Sequence, residues 1–136
     1  MRLTAEDRAP IGELIAMHGH LCDDGDLEGL DAVCTPDVIY DVTALGGGVL
    51  EGLAGMHAAA LALGDANPVG HHVTNVVIRE APHGAVHARS KGLGVNADGT
   101  VGSVTYDDTL IDTGTGWRIS RRVVTPRNTA LGGRRA

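Results

Sequence analysis

The chain has 136 residues, enough for one domain that buries about two-thirds of the surface its unfolded form exposes. A formal net charge of −6 argues against nucleic acid as a partner, and no apolar run approaches the ~20 residues of a membrane span. With no Phe, one Trp, two Tyr and 20 Gly, the core must be built from Val, Leu, Ile and Ala, a composition that leaves room for a cavity and that a GC-rich gene also produces.

Residues 1–9 read as a lead-in, with Thr4 and Asp7 spaced as a capping pair. Pro10 suits a first helical turn, and the helix is expected to run to Cys22. Within it Ile11, Leu14, Ile15, His18, Leu21 and Cys22 form one apolar stripe, so His18 faces the core. Asp23-Asp24-Gly25-Asp26 then ends one helix and starts another, with Gly25 free to turn left-handed and Asp26 a good N-cap. Negative charge at a helix C-terminus opposes the dipole, so another group must stabilise one of these carboxylates.

A second helix is expected from Leu27 to about Cys34, ended by Pro36, and then a strand over Val38 to Val42 carrying Tyr40. Gly46-Gly47-Gly48 reads as a loop without the setting of a phosphate-binding loop, and Leu53 to Leu63 as a third helix closed by Gly64. From His71 the period becomes two. Four strands, His71–Glu80, Gly84–Val95, Ser103–Asp112 and Trp117–Thr125, are joined by short turns into a meander. Residues 127–136 form an Arg- and Gly-rich tail expected to fray. The whole is a single α+β domain over residues 1–136, a strongly bent, mainly antiparallel sheet closed by three helices into a cone with a pocket.

Cys22 and Cys34 fall on apolar positions and read as free thiols in a reducing compartment; with no signal-peptide core in the sequence, the expected location is cytoplasmic. The seven histidines include no HExxH, and no CxxC or GxSxG is present, so no metal site and no nucleophile elbow are expected. His71 and His72 open one strand on opposite faces, and alternation alone does not choose which looks inward. A carboxylate such as Asp23 beside an inward histidine fixes its tautomer and raises its basicity, the minimum apparatus for moving a proton near neutral pH. Tyr40 and Tyr106, the two tyrosines, lie on strands, where a buried phenol needs a partner that a ligand can supply. Trp117 reads as packing.

The run from Asp23 to Leu30, Thr35-Pro36-Asp37-Val38-Ile39-Tyr40-Asp41, His71-His72-Val73-Thr74-Asn75 and the closing Gly116-Trp117-Arg118-Ile119 through Arg121-Arg122-Val123 resemble SnoaL-like proteins of the nuclear transport factor 2-like superfamily. The resemblance spans Ile11 to Val124 and implies the cone fold, often dimeric through the outer sheet face. Scytalone dehydratase and the bile-acid dehydratases of this superfamily use an aspartate ending the first helix and a histidine opening a sheet strand. On matching positions the resemblance implies Asp23 and His72 as a catalytic pair, with His71 on the other face. It also places His18 and Cys22 where those enzymes carry pocket aromatics, and His18 can replace a phenol as donor. A second catalytic histidine near Val95 is missing, and the base of ketosteroid isomerase falls on Val42. The aspartate–arginine–aspartate set of limonene epoxide hydrolase is not recognisable.

The implied function is a lyase or isomerase (dehydratase, isomerase or cyclase) without metal or organic cofactor. It acts on a small hydrophobic hydroxy-carbonyl compound, polyketide- or steroid-like. Asp23 and His72 are its acid–base pair, and His18, Tyr40 and Tyr106 its substrate-binding donors. A homodimer with no nucleic-acid or membrane partner is expected. The alternative is a non-catalytic small-molecule-binding or assembly module of the same fold.

Overall fold

The computed structural model describes residues 2–136; Met1, the start of the expected lead-in, lies outside them. Helix α1 spans Ala5–Asp23, five residues longer at its start than the sequence suggests. The reason is the capping box at Thr4: its hydroxyl accepts from the Asp7 N–H at 3.2 Å while the Asp7 carboxylate accepts from the Thr4 N–H at 2.9 Å. Pro10 is therefore inside the helix, past the unpaired donors of its first turn, so the helix lacks the bond that an N–H at this position would give to the Glu6 carbonyl. At the other end Gly25 adopts φ 68° and the Asp26 N–H donates to the Leu21 carbonyl at 2.9 Å, a Schellman closure. Asp26 then caps the next turn through its carboxylate, which accepts from the Gly29 N–H at 3.0 Å.

That next turn is a 3₁₀ segment, Glu28–Ala32, and not the helix expected to Cys34. The chain is already extended at Cys34, because strand β1 spans Cys34–Val42 and buries Cys34, Thr35 and Val38. A short strand the sequence reading missed, β2 at Gly48–Glu51, pairs antiparallel with β1 across the glycine turn. Helix α2 spans Gly52–Leu63, so two α-helices replace the three expected. Strands β3 (Gly70–Glu80), β4 (Val86–Val95), β5 (Val101–Asp112) and β6 (Trp117–Pro126) follow as the meander.

One six-stranded sheet results, in the order β2-β1-β6-β5-β4-β3. Four of its five ladders are antiparallel, and β1 with β6 is the parallel exception. Helix α1 packs on β3 and β6, and α2 on β1 and β2, over a core that includes Ile11, Ile15, Leu30, Val38, Val86, Leu110 and Ile119.

Two bulges determine which side chains face α1. In β3, Thr74 pairs with Lys91 and Val77 with Arg89, so Asn75 and Val76 together oppose Ser90; Asn75 takes φ 58°. In β6, Ile119 pairs with Leu110 and Arg121 with Thr109, which leaves Ser120 as the extra residue. Each bulge reverses the in–out alternation. Inward positions are therefore His71 and Val73 before the first bulge and Ile78 after it, and Ile119 before the second bulge and Arg122 and Val124 after it.

Candidate active site

Asp23 ends α1, where the helix dipole disfavours it, and three hydrogen bonds from one residue offset that. The His71 backbone N–H donates to both carboxylate oxygens at 3.0 Å, and His71 Nδ1 lies 2.6 Å from Asp23 Oδ1. The helix reaches β3 closely enough for this because Gly19, one turn before Asp23, has no side chain. A Cβ there would stand 2.9 Å from the His71 carbonyl oxygen. The two side chains keep 23% and 25% of their surface exposed, so the pair lies at the rim of the cone.

His72, the partner the resemblance implies for Asp23, does not reach it: His72 is exposed on the opposite face of β3, and His71 makes the contact. α1 packs against the face carrying His71 and Val73, and strand alternation turns His72 away from it.

Deeper in, the space expected to be a pocket is occupied by a polar and aromatic cluster. Arg122 and Asp108 face each other across β6 and β5, both at 0% exposure. Nε and Nη2 of Arg122 donate to the two Asp108 oxygens at 2.7 and 2.9 Å, a bidentate pair. The guanidinium carbon sits 4.0 Å from the Tyr106 ring centroid, and that ring covers Gly92, where a Cβ would collide with it. His18 stacks on Tyr40 with centroids 6.2 Å apart and an 11° interplanar angle, and its Nδ1 lies 3.3 Å from Arg122 Nη1. His18 Nε2 is buried without a protein partner.

These surroundings set the protonation states. Burial, reinforced by the nearby Arg122 charge, holds His18 well below its ordinary value, so the ring is neutral at physiological pH. Burial raises Tyr40 and Tyr106, which remain phenols, and pushes the Cys22 thiol up to about 11. Cys22, one turn from His18 with its sulfur 3.8 Å from Nδ1, is therefore an unreactive thiol.

The match to a SnoaL-like domain model extends over residues 3–123. The chain belongs to the SnoaL-like domain family. Solved structures share its fold. A candidate aromatic ring hydroxylase from Novosphingobium aromaticivorans is 25% identical, with 94% of each chain covered and a TM-score of 0.79. An NTF2-like protein with a cystatin-like fold from the same organism is 28% identical over 93% of this chain and 85% of its own, at a TM-score of 0.75. A candidate scytalone dehydratase, also from that organism, is 18% identical over 95% of this chain and 89% of its own, with a TM-score of 0.73, a likeness of fold. No curated protein matches the chain in sequence.

In this SnoaL-like domain the fold brings His18, Tyr40 and Tyr106 together around Arg122, and sets Asp23 with His71 at the rim. Sequence reading quoted Arg122 only as part of the closing motif, gave it no role, and did not name Asp108. A signal was present: Asp107-Asp108 and Arg121-Arg122 are doublets on strands, and in each doublet alternation forces one charge inward. Among the described residues no group of three or more His, Cys, Asp or Glu side chains is arranged to hold a metal, and no helix is long and apolar enough to cross a membrane. A surface cleft of about 340 Å³ is lined by Asp65, Asn67, Asn96, Asp98 and Thr100, apart from this group.

Proposed function

We propose that this SnoaL-like domain is a cofactor-independent acid–base catalyst, with His71 as the proton carrier and Asp23 as its orienting partner. The observation that carries the reading is the 2.6 Å contact between His71 Nδ1 and Asp23 Oδ1. A neutral ring that donates Nδ1–H to the carboxylate keeps its lone pair on Nε2, where it can accept a proton. Asp23 then stabilises the imidazolium that forms. The residual exposure of both side chains gives a ligand access to them.

The substrate is a small hydrophobic hydroxy-carbonyl compound, polyketide- or steroid-like. His71 Nε2 removes a proton from the carbon beside the carbonyl, and the electron pair moves onto the carbonyl oxygen. The buried Nε2–H of His18 is a donor to that oxygen, in a site of low dielectric where such a bond counts most. Delivery of the proton to a departing hydroxyl completes a dehydration; delivery to another carbon completes an isomerisation. Exposed Val77, Leu93 and Val101 on the outer sheet face support a homodimer.

A second reading, a binding module without chemistry, is favoured by how fully Arg122 and Tyr106 occupy the interior. Proton exchange separates the two. Incubation in deuterated water with a panel of aromatic and alicyclic hydroxy-ketones, followed by NMR, is expected to show enzyme-dependent loss of the proton beside the carbonyl. Saturable binding without any exchange across the panel is the outcome that favours the binding module.

A further inference from the structure

The Arg122–Asp108 pair is buried where an ion pair is costly, and replacing such pairs by apolar residues is often neutral or stabilising. Its geometry gives it a task. Two of the three guanidinium nitrogens are committed to Asp108, and the third, Nη1, lies 3.3 Å from His18 Nδ1. Guanidinium groups donate and cannot accept. His18 Nδ1 must therefore be the acceptor of that bond, and the proton of the neutral ring must sit on Nε2. That atom is buried and has no protein partner.

We propose that Arg122, clamped by Asp108, is a positioning residue that fixes His18 as its Nε2–H tautomer, so that this ring presents an oriented, uncharged donor to an uncharged acceptor oxygen. The proposal rests on the acid–base reading only for what that donor does in turnover; the tautomer itself is independent of it. Tyr40 stacked on the ring limits its rotation, and Tyr106 against the guanidinium holds the Arg122 plane. An Arg carrying a free charge beside His18 would select anions. With both Asp108 oxygens bonded to it, its charge is neutralised within the pair, and the donor that remains suits a carbonyl.

Long-range ¹H–¹⁵N NMR on the ¹⁵N-labelled wild-type protein, with His18 assigned by its absence from His18→Asn, reads the tautomer directly. The expected spectrum has a pyridine-type Nδ1 and a pyrrole-type Nε2 for His18; a pyrrole-type Nδ1 overturns the proposal, whatever the activity. Cys22 also approaches Nδ1, at 3.8 Å, so Cys22→Ala is the control and is expected to keep the tautomer. Loss of the tautomer in that variant would assign the role to Cys22 and refute Arg122. In Asp108→Leu/Arg122→Met, which removes both charges together, His18 is expected to populate both tautomers. An unchanged single tautomer there overturns the proposal. Should the double variant not fold, the wild-type and Cys22→Ala spectra still decide. Inactive protein with the expected His18 spectrum counts against the acid–base reading alone.

Discussion

Gly19 and His71 touch: the helix and strand are so close that a Cβ on Gly19 would lie 2.9 Å from the His71 carbonyl oxygen. A backbone atom cannot swing aside, so Gly19→Ala must push α1 away from β3. Such overpacking costs about 1–3 kcal/mol, and Ala regains about 1 kcal/mol of helix propensity. The net expectation is a modestly lower Tm together with a weakened Asp23–His71 bond. Calorimetry and the His71 Nδ1–H proton signal check both. An unchanged Tm and signal would mean that the close approach does not set the pair.

Breaking the buried pair from one side should be far worse than removing it whole. Asp108→Ala leaves Arg122 charged, buried and unpaired, an expected loss of about 3–5 kcal/mol in urea unfolding. Asp108→Leu/Arg122→Met is expected to recover most of that loss. A double variant as unstable as the single one would show that the pair holds the fold together and does not merely orient groups within it.

Stability should fall on the acid side through His18. Its folded value is depressed while the unfolded chain takes up a proton near the ordinary ~6.5, so below that pH the unfolded state binds more protons. The His18 contribution is fully present above about 6.5 and is lost as pH falls toward the folded value. Unfolding free energy measured from pH 8 to 5 is expected to decline more steeply for wild type than for His18→Asn. Parallel curves would place the loss elsewhere. On the alkaline side the sign reverses: Cys22 is raised to about 11, so its share is present below its ordinary 9.0 and is lost as pH rises through the folded value.

Local chemistry was legible in the sequence wherever a short stretch decides the outcome. The Thr4–Asp7 box, the left-handed Gly25, the Asp26 cap and the meander strands all follow from neighbours in the chain. Strand parity was not legible, because it depends on bulges. Asn75 with Val76, and Ser120, each insert a residue whose effect is visible only against the partner strand. Arg122 therefore faces inward, although its strand position alone did not say which of Arg121 and Arg122 would do so. The choice between His71 and His72 failed for a related reason. It depends on which strand face α1 packs against, and that contact is made by Gly19, a residue with no apolar signal of its own. The glycine-rich turn hid β2 in the same way, since its pairing with Ile39, Tyr40, Asp41 and Val42 is what makes it a strand.

The central claim, that His71 and not His72 carries the proton, is tested most directly by paired exchange rates. Once a hydroxy-ketone that exchanges is found, its deuterium incorporation is measured with wild type, His71→Ala and His72→Ala, each checked for folding. General acid–base groups contribute ~10²–10⁴-fold, so His71→Ala is expected to slow exchange on that scale while His72, exposed on the other face, is expected to be dispensable. Exchange that survives in His71→Ala and is lost in His72→Ala would contradict the account.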